Sequence, residues 1–422
     1  MTSDLQALLA AVVADPADDV ARLVYADCLE ESGNAARAAF IRVQIEAERH
    51  HPDSHTRAAL EGEAHALFEQ HWVGWWGEVC SAVGMPAPVP KPTAGLRSLA
   101  KRMGLGREPV SPYSVSGFRI VATNGPSAIR SVAVFRRGFP DSAESHPTWT
   151  RVSPLQSLLL FANSRTRVDG PHLAGVQNVQ MWGHNLAVLN QLFRSPHLER
   201  LESIRLEQNG DPHEYEYLTT RFADDLAQTL TAPRVRHLKR LAIHLWDDRA
   251  VEALATAQSL SGLEALEVSV QNDGDREAVA LLARSPHFAG LKELTVRGGI
   301  GARGIEALVR NPTWTGLRKL DISTREWSPD VFADADALPE LVELRLSDFD
   351  YSAHELAALR RSPLLKQLRH FAVSSGWEAA DFEIADAVDP DRIETFAIGR
   401  SPPRVVMMLR ERFGDKLRHL PG

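Results

Sequence analysis

The chain has few cysteines, no long apolar run and little net charge, and each of these absences excludes a class of protein. Cys28 and Cys80 are its two cysteines in 422 residues, which is too few for a disulfide framework and favours an intracellular protein. No run approaches about 20 apolar residues, so we expect no membrane-spanning helix. The formal charge of −8 makes nucleic acid an unfavoured ligand, because nucleic-acid binders neutralise phosphates with Lys and Arg. We therefore expect a cytoplasmic protein with no membrane partner.

The sequence also lacks the motifs of common enzymes. It contains no G-x-S-x-G nucleophile elbow, no P-loop and no dinucleotide-binding glycine fingerprint. His51 and His55 are four residues apart, but no cysteine set or H-E-x-x-H motif accompanies them, which favours a solvated helix face over a metal site. Cys28 lies in an apolar helical stripe, where cysteine is usually inert. We therefore predict no catalytic residue, no metal site and no cofactor.

The charge is unevenly distributed and divides the chain into three parts. Residues 1–83 hold 14 Asp and Glu against 5 Arg, a net charge of −9. Residues 84–127 hold 6 Lys and Arg against one Glu, a net charge of +5, and their abundant proline and glycine are typical of a linker. Residues 128–422 are nearly balanced at −4. The sequence therefore predicts an acidic domain over 1–83, a basic linker over 84–127 and a third region over 128–422.

The acidic part has the pattern of a short helical domain. Apolar residues at i, i+3, i+4 and i+7 predict a helix over residues 3–14. A second helix is expected to begin after Asp18, whose carboxylate can cap it, and to end at Gly33, which suits a left-handed C-terminal cap. A third helix begins near Ala35. Arg22 is four residues after Asp18, which predicts an ion pair between them on the helix surface.

A set of residues between Leu8 and Gln44 resembles a known module. They are Leu8-Leu9, Asp15-Pro16, Asp18-Asp19, Arg22-Leu23-Val24-Tyr25-Ala26-Asp27, Leu29-Glu30-Glu31, Gly33, Arg37 and Phe40-Ile41-Arg42-Val43-Gln44. In this order and spacing they are similar to the bacterial repeat-companion domain, a helical module that precedes repeats, often leucine-rich ones. Cys28 departs from the family, which usually has tryptophan there. Because the family has no established activity, the resemblance implies a domain followed by repeats and no reaction.

The remainder of the chain repeats one pattern, apolar-x-x-apolar-x-apolar. About ten copies follow one another, most of them within the 20–29-residue period of leucine-rich repeats. The clear copies begin at Leu201, Leu238, Leu263, Leu291, Leu317, Leu341 and Leu368, and weaker ones begin at Leu155, Val176 and Ile393. Ile129 begins a further copy that suits a cap strand.

Short amphipathic helices alternate with these strands and end at Ser-Pro, Asn-Pro or Ala-Pro pairs. They are expected over 249–255, 276–284, 302–310 and 353–361, and the proline ends each helix. This pattern resembles ribonuclease-inhibitor-type leucine-rich repeats. We predict an α/β solenoid with a concave parallel sheet and convex helices, preceded by the small α-helical domain. The asparagine that ties neighbouring repeats in the family occurs only at Asn209 and Asn272, so the repeats must be held together in another way.

The candidate binding surface is the concave face of the predicted sheet, since alternate strand residues face that side. Acids and arginines alternate on it, which suits recognition of a protein of complementary charge. An acidic insertion over 208–218 adds two tyrosines, a residue type enriched in binding hot spots. The candidate partner-binding residues are Arg205, Glu207, Arg240, His244, Glu267, Glu293, Arg297, Lys319, Asp321, Glu343, Arg345, His370, Tyr215 and Tyr217. The alternative is that these charges pair with one another and have no partner.

These observations predict a non-catalytic adaptor that binds a protein or peptide partner through the concave face. Two alternatives remain. The chain can be a regulatory or substrate-recruiting subunit of a separate enzyme, or it can bind nucleic acid through the basic linker, although that linker lacks interleaved aromatics for stacking on bases. The partner, the pathway, the oligomeric state and the role of the N-terminal domain are left open by the sequence.

Overall fold

The structure, a computed structural model, divides into two units, Met1–Leu201 and Glu202–Gly422. It describes residues 3–15, 18–50, 54–82, 112–115, 118–121, 131–134, 157–161, 175–182, 186–207, 219–245, 247–270, 278–324, 330–333, 337–349, 359–375, 385–399 and 401–419. No helix in these ranges has both the length and the apolar character that crossing a bilayer requires.

The first unit begins with four helices, α1 (Ser3–Ala14), α2 (Asp19–Glu31), α3 (Ala35–Glu48) and α4 (His55–Ala82). The three helices expected from the apolar spacing are confirmed. The Asp18 carboxylate caps α2 by accepting from the backbone N–H groups of Val20 and Ala21, at 2.9 and 3.2 Å. Gly33 has a φ of +87°, a conformation that glycine adopts without a steric penalty, and it ends this helix.

The helices bury the apolar face that their sequence pattern predicts. Leu9 and Val12 of α1 pack with Leu29 of α2 and Ile41 of α3 in one core cluster. Aromatic side chains join α3 to α4, with the Phe40 ring centroid 5.8 Å from that of Phe68 and 5.2 Å from that of Trp75. The signature string over α2 and α3 therefore contributes much of this core.

Arg22 differs from its predicted role. Its side chain is 1% exposed, and Nη1 donates to Asp19 Oδ1 at 3.0 Å and to Glu48 Oε2 at 2.8 Å. The predicted surface pair with Asp18 is wrong, because the Asp18 carboxylate is occupied with the helix cap while Arg22 is turned inward between α2 and α3. The buried guanidinium thus joins two helices instead of decorating one.

Among its described residues, the first unit also contains five strands and one further helix. They are β1 (Pro112–Val115), β2 (Phe118–Val121), β3 (Ser131–Val134), β4 (Ser157–Phe161), β5 (Asn178–Trp182) and α5 (Leu186–Arg194). The β1–β2 and β2–β3 pairs are antiparallel, whereas the β3–β4 and β4–β5 pairs are parallel. Thus β1 and β2 lie inside 84–127, the stretch whose composition is typical of a linker. The domain bounds 1–83, 84–127 and 128–422 stay a prediction.

The second unit alternates strands with helices. Its strands are β6 (Ser203–Glu207), β7 (Arg240–Leu245), β8 (Ala265–Val270), β9 (Glu293–Gly298), β10 (Lys319–Ser323), β11 (Glu343–Phe349), β12 (His370–Ser375), β13 (Thr395–Ile398) and β14 (Leu417–His419). The helices in the part of this unit that the structure describes are α6 (Thr219–Leu230), α7 (Asp248–Ala255), α8 (Ala278–Arg284), α9 (Gly301–Val309), α10 (Asp330–Ala333) and α11 (Pro403–Phe413). Each strand pairs in parallel with the next, which confirms the predicted α/β leucine-rich-repeat solenoid.

The repeat pattern sets the register of this sheet. Leucine positions align from strand to strand, as in Leu266 opposite Leu294 and Leu294 opposite Leu320. These side chains are buried, so a shift by one residue would turn every apolar side chain to the opposite face. Three of the predicted repeat helices correspond to α7, α8 and α9, whereas most of 353–361 lies outside the described residues.

Polar side chains beside the helix-ending prolines tie neighbouring repeats together. Ser285 Oγ donates to the Ala255 carbonyl oxygen, 30 residues earlier, at 2.5 Å. Asn311 Nδ2 donates in the same way to the Ala283 carbonyl oxygen. Both side chains are buried, and they satisfy carbonyl groups near the end of a helix that have no partner within it. The Ser-Pro and Asn-Pro pairs thus supply the ties that the sequence left unassigned; Asn209 and Asn272 lie outside the described residues.

Candidate functional site

The face of the second unit's sheet opposite the buried leucine positions carries the predicted site, and we call it the polar face. Its side chains form three rows across the strands. The first row contains Ser203, Arg240, Ala265, Glu293, Lys319, Glu343, His370 and Thr395. The second contains Arg205, Ala242, Glu267, Thr295, Asp321, Arg345, Ala372, Ala397 and Arg418. The third contains His244, Ser269, Arg297, Ser323, Ser347 and Ser374.

Two arginines on the polar face reach over an entire strand to their partners. Arg205 on β6 passes Ala242 on β7 and meets Glu267 on β8, with Nη2 2.6 Å from Oε2. In the same way, Arg240 on β7 passes Ala265 on β8 and meets Glu293 on β9. Alanine at the intervening position makes this possible, because neighbouring strands are about 4.8 Å apart and a larger side chain would block the path. The alternation of long and small side chains therefore creates ion pairs between next-nearest strands.

The Arg240 pair is bidentate and open to solvent. Its two terminal nitrogens donate to the two carboxylate oxygens of Glu293 at 3.3 and 3.4 Å. Both side chains are well exposed, so water screens the pair and its contribution to stability is small. Solvent exposure also leaves this arginine accessible to a partner.

The centre of the polar face holds a more buried cluster. Glu343 Oε1 accepts from Lys319 Nζ at 2.9 Å and from Arg345 Nε at 2.8 Å. Asp321 lies beside it in the second row, 3.5 Å from Arg297 Nη2. Burial raises the pKa of Asp321 above its usual value, although the charges of Arg297, Arg345 and Lys319 oppose this shift. The cluster therefore combines two buried carboxyl groups with three cations.

Arg297 connects this cluster to the pair that Arg205 forms. Its Nε is 3.7 Å from Glu267 Oε1, and Glu267 also accepts from Arg205. Arg205 is in addition 3.6 Å from Glu207. Burial lowers the pKa of Arg205, but the hydrogen bond and charge of Glu267 outweigh that effect and raise it. The network thus extends without interruption from β6 to β10.

Without the histidines, the candidate partner-binding residues include five acidic and five basic side chains. All ten of them form ion pairs with one another. These ten side chains are therefore balanced in charge, and together they can recognise a surface that carries both signs. Groups of three or more His, Cys, Asp or Glu placed to hold a metal ion do not occur among the described residues.

The two candidate histidines differ in their surroundings. His370 lies in the first row, where Nδ1 is 2.9 Å from Thr395 Oγ1 and Nε2 is 3.7 Å from Glu394 Oε2. His244 lies in the third row opposite Ser269. Tyr215 and Tyr217 lie outside the described residues, so the structure does not relate them to the polar face.

Sequence reasoning missed three residues of the polar face, Thr395, Ala397 and Arg418. Thr395 follows from the weak repeat copy at Ile393, which gave a strand but no site residue. Arg418 on β14 pairs in register with Ala397, and the repeat pattern carries no clear copy there. Thr395 and Ala397 extend the rows by one strand beyond the predicted site, and Arg418 extends the second row by one more.

Comparisons with known proteins leave the chain without a family. No family model matches it, and no curated protein matches it significantly. Among solved structures, it is similar to a chain in the crystal structure of the Rad7 and Elc1 complex in yeast. That alignment has 13% sequence identity and a TM-score of 0.42, and it covers 83% of this chain and 87% of the other. The class of the protein, a leucine-rich-repeat α/β solenoid, follows from the strand register and repeat spacing of this chain itself.

Proposed function

We propose that the protein is a non-catalytic scaffold that binds a protein or peptide through the polar face. The observation that carries this proposal is the network of exposed arginines and acids over consecutive strands. A solenoid core needs only the leucine side of these strands, so the long charged side chains on the other side are available to a partner. Complementary charge gives partner choice more than raw affinity.

The chemistry of the network favours a partner of mixed charge. Arg205, Arg240 and Arg297 each retain roughly half of their side-chain exposure while paired. An incoming carboxylate can share these guanidinium groups, and an incoming cation can share Glu267 or Glu293. A partner of a single sign would instead leave one half of the network without a matching charge.

The same ion pairs are compatible with the alternative that these charged side chains pair only with one another and bind no partner. The two ideas differ in what reversal of an exposed arginine does. For self-paired charges, reversal changes stability slightly and nothing else. For a binding face, reversal lowers affinity, because the new acid repels the partner's acids.

The N-terminal helices and the cell compartment are part of the same proposal. The residues of α2 and α3 that resemble the bacterial repeat-companion domain also build the first unit's helical core, which supports a domain of that kind over 1–83. We propose that it precedes the repeats as a separate module. The low cysteine content supports a cytoplasmic site of action.

The test compares two double variants of equal charge change. Arg205→Glu/Arg240→Glu alters the polar face, and Arg249→Glu/Arg310→Glu alters exposed arginines that are paired on helix surfaces instead. Partners captured by the wild-type chain from cells that produce it are identified by mass spectrometry, and their affinity is then measured with purified components. We expect at least about tenfold weaker binding by the polar-face variant and an unchanged affinity for the control. Equal binding by both variants would refute the proposal.

Arg345 is unsuitable for this test. Its Nε donates to the buried carboxylate of Glu343, so an acid in its place would face two buried carboxyl groups and destabilise the fold. Loss of binding by such a variant would not separate recognition from folding.

A further inference from the structure

The charged side chains of the polar face lie at two depths. In the seven ion pairs that join its charged candidates, the cation is more exposed than the acid. Arg297 is 48% exposed against 12% for Asp321, and Arg240 is 60% exposed against 40% for Glu293. Cationic side chains therefore form the outer layer of this face, and carboxylates form the layer beneath it.

Side-chain length alone does not produce these two layers. Lysine and arginine have longer stems than the acids on every element, yet most ion pairs of the helices have the opposite order. Arg42 is 38% exposed and its partner Asp27 is 64% exposed, and Arg249 is likewise less exposed than Asp224. The layering is therefore a feature of the sheet, where long cations lie over the shorter acids of neighbouring strands.

The outer guanidinium groups keep hydrogen-bond donors for a further acid, whereas the acids beneath are more fully used. Arg240 donates from two nitrogens to Glu293, and a guanidinium has N–H groups in more directions than one carboxylate occupies. Glu267 already lies 2.6 Å from Arg205 and 3.7 Å from Arg297. A carboxylate that approaches the face therefore meets available donors, and an approaching cation meets deeper acids that are already shared.

We propose that the polar face binds an acidic segment of its partner, with Arg205, Arg240 and Arg297 holding Asp or Glu side chains. This inference rests on the proposed function and narrows it, because it states which charges of a mixed-charge partner make the direct contacts. Coulomb energy falls with distance, so the outermost charges decide which sign is attracted at contact. The acids beneath hold the guanidinium groups in place and limit the entropy that is lost on binding.

The three arginines define where the acidic segment lies. They belong to β6, β7 and β9, and these strands cover three strand spacings, which is about 14 Å. About four residues of extended chain have this length. An extended segment with acids at alternate positions therefore places its carboxylates on the side that faces the arginines.

The layer of acids favours a protein segment over nucleic acid. A phosphodiester chain is bound mainly through net positive charge, which releases counterions from the phosphates. The ten charged candidates cancel in formal charge, so this gain is small here. Short contacts between single carboxylates and exposed guanidinium groups do not need an excess of positive charge.

The experiment measures the binding of two labelled peptides to the full chain by fluorescence anisotropy at low ionic strength, where screening is weak. One peptide alternates glutamate with glycine, and the other alternates lysine with glycine. The variant Arg205→Gln/Arg240→Gln removes outer cations, and Glu267→Gln/Glu293→Gln removes the acids that they contact. A short oligothymidine serves as the nucleic-acid probe.

Matched controls carry the same changes of charge on helix surfaces. Arg249→Gln/Arg310→Gln removes two exposed arginines there, and Asp224→Asn/Glu306→Gln removes their acidic partners. These variants correct for the effect of total charge on the affinity of a charged peptide. Circular dichroism checks that each variant folds.

The two polar-face variants should act in opposite directions on the glutamate peptide. We expect its affinity to fall by about tenfold in Arg205→Gln/Arg240→Gln and to rise by about threefold in Glu267→Gln/Glu293→Gln, relative to the matched controls. The lysine peptide should change by less than about twofold in either variant relative to the same controls. If the double arginine variant fails to fold, Arg240→Gln alone replaces it, and a loss of about threefold is then expected.

Three results would overturn the inference. A glutamate peptide that does not bind, or whose affinity is the same in the polar-face variants and their controls, means that the face holds no acidic segment. A lysine peptide that loses affinity in Glu267→Gln/Glu293→Gln means that the acids make the contacts, which leaves a binding face but not an acidic partner. Oligothymidine that binds more tightly than the glutamate peptide, and less tightly to Arg205→Gln/Arg240→Gln, means that the ligand is nucleic acid.

Discussion

Replacing Glu343 by glutamine tests whether an ion pair on the polar face contributes to the free energy of unfolding because it is buried, or whether any ion pair there contributes equally. Glu293 provides a matched comparison, because both glutamates lie in the first row of the same sheet and both accept from a cation. They differ in environment. The Glu343 side chain is 9% exposed and accepts from Lys319 and Arg345, whereas the Glu293 side chain is 40% exposed and accepts from Arg240. Glutamine preserves the shape and removes the charge.

The expected magnitude follows from these surroundings. Removing one partner of a buried ion pair costs about 3–5 kcal/mol. Water partly recovers this cost, because Lys319 and Arg345 remain partly exposed, and the glutamine oxygen still accepts one hydrogen bond. We therefore expect Glu343→Gln to lower the free energy of unfolding by about 2 kcal/mol. Glu293→Gln should lower it by at most about 0.5 kcal/mol, as for other exposed pairs.

Equilibrium urea unfolding followed by circular dichroism measures both variants at pH 7. Repeating it in 1 M NaCl, where the Debye length is about 3 Å, should remove the small Glu293 effect and leave most of the Glu343 effect. Equal losses for the two variants, or a neutral Glu343→Gln, would refute the reasoning that burial decides the strength of these pairs.

Two further predictions concern neighbouring positions. Asp321→Asn should raise the free energy of unfolding at pH 7, because the raised pKa of Asp321 means that its ionised form is disfavoured in the folded state. The stability that the protonated Asp321 side chain contributes is fully present below pH 3.8 and is lost as the pH rises through its folded-state pKa. The stability advantage of Asp321→Asn over the wild type should therefore shrink as the pH falls, which urea titrations at several pH values measure. Gly298→Ala should cost about 2 kcal/mol or more, since φ is +99° and a Cβ there would collide with the Val270 carbonyl oxygen. Gly316→Ala, which meets open space, should stay within about 0.5 kcal/mol in the same assay.

Each of these predictions has an outcome that contradicts it. An Asp321→Asn variant less stable than the wild type at pH 7 would mean that the nearby cations outweigh burial. A Gly298→Ala variant as stable as Gly316→Ala would mean that the backbone can relax away from the positive φ at this position.

The stability of the network and its proposed role in recognition are linked. The buried cluster around Glu343 is expected to hold its side chains fixed, whereas the exposed pairs of Arg205 and Arg240 can exchange partners at little cost. A fixed centre with exchangeable charges beside it limits the side-chain entropy that is lost on binding. Polar-face variants for binding studies are therefore best placed at the exposed pairs.

Local sequence patterns predicted the first three helices and most of the repeat strands in the right order, but not β1, β2 or β14. Apolar residues at strand spacing predicted β6 to β13, and the helical spacing predicted α1 to α3 and α7 to α9. This succeeded because each repeat alternates one strand with one helical segment, so that local pattern and tertiary position coincide. The same alternation identified the residues of the polar face, apart from Thr395, Ala397 and Arg418.

The pairing of the charged side chains and the depth of their burial follow from the three-dimensional packing and not from the local pattern. Arg205 and Glu267 are 62 residues apart in the chain, and their contact depends on the small side chain of Ala242 on the strand between them. Arg22 was expected on a helix surface and lies buried because Glu48 comes from α3, a contact that no local spacing encodes. Which residues pair across strands and helices depends on the register of the sheet and on helix packing, and the burial of a side chain depends on all the residues around it. A pattern along one segment of the sequence contains neither kind of information.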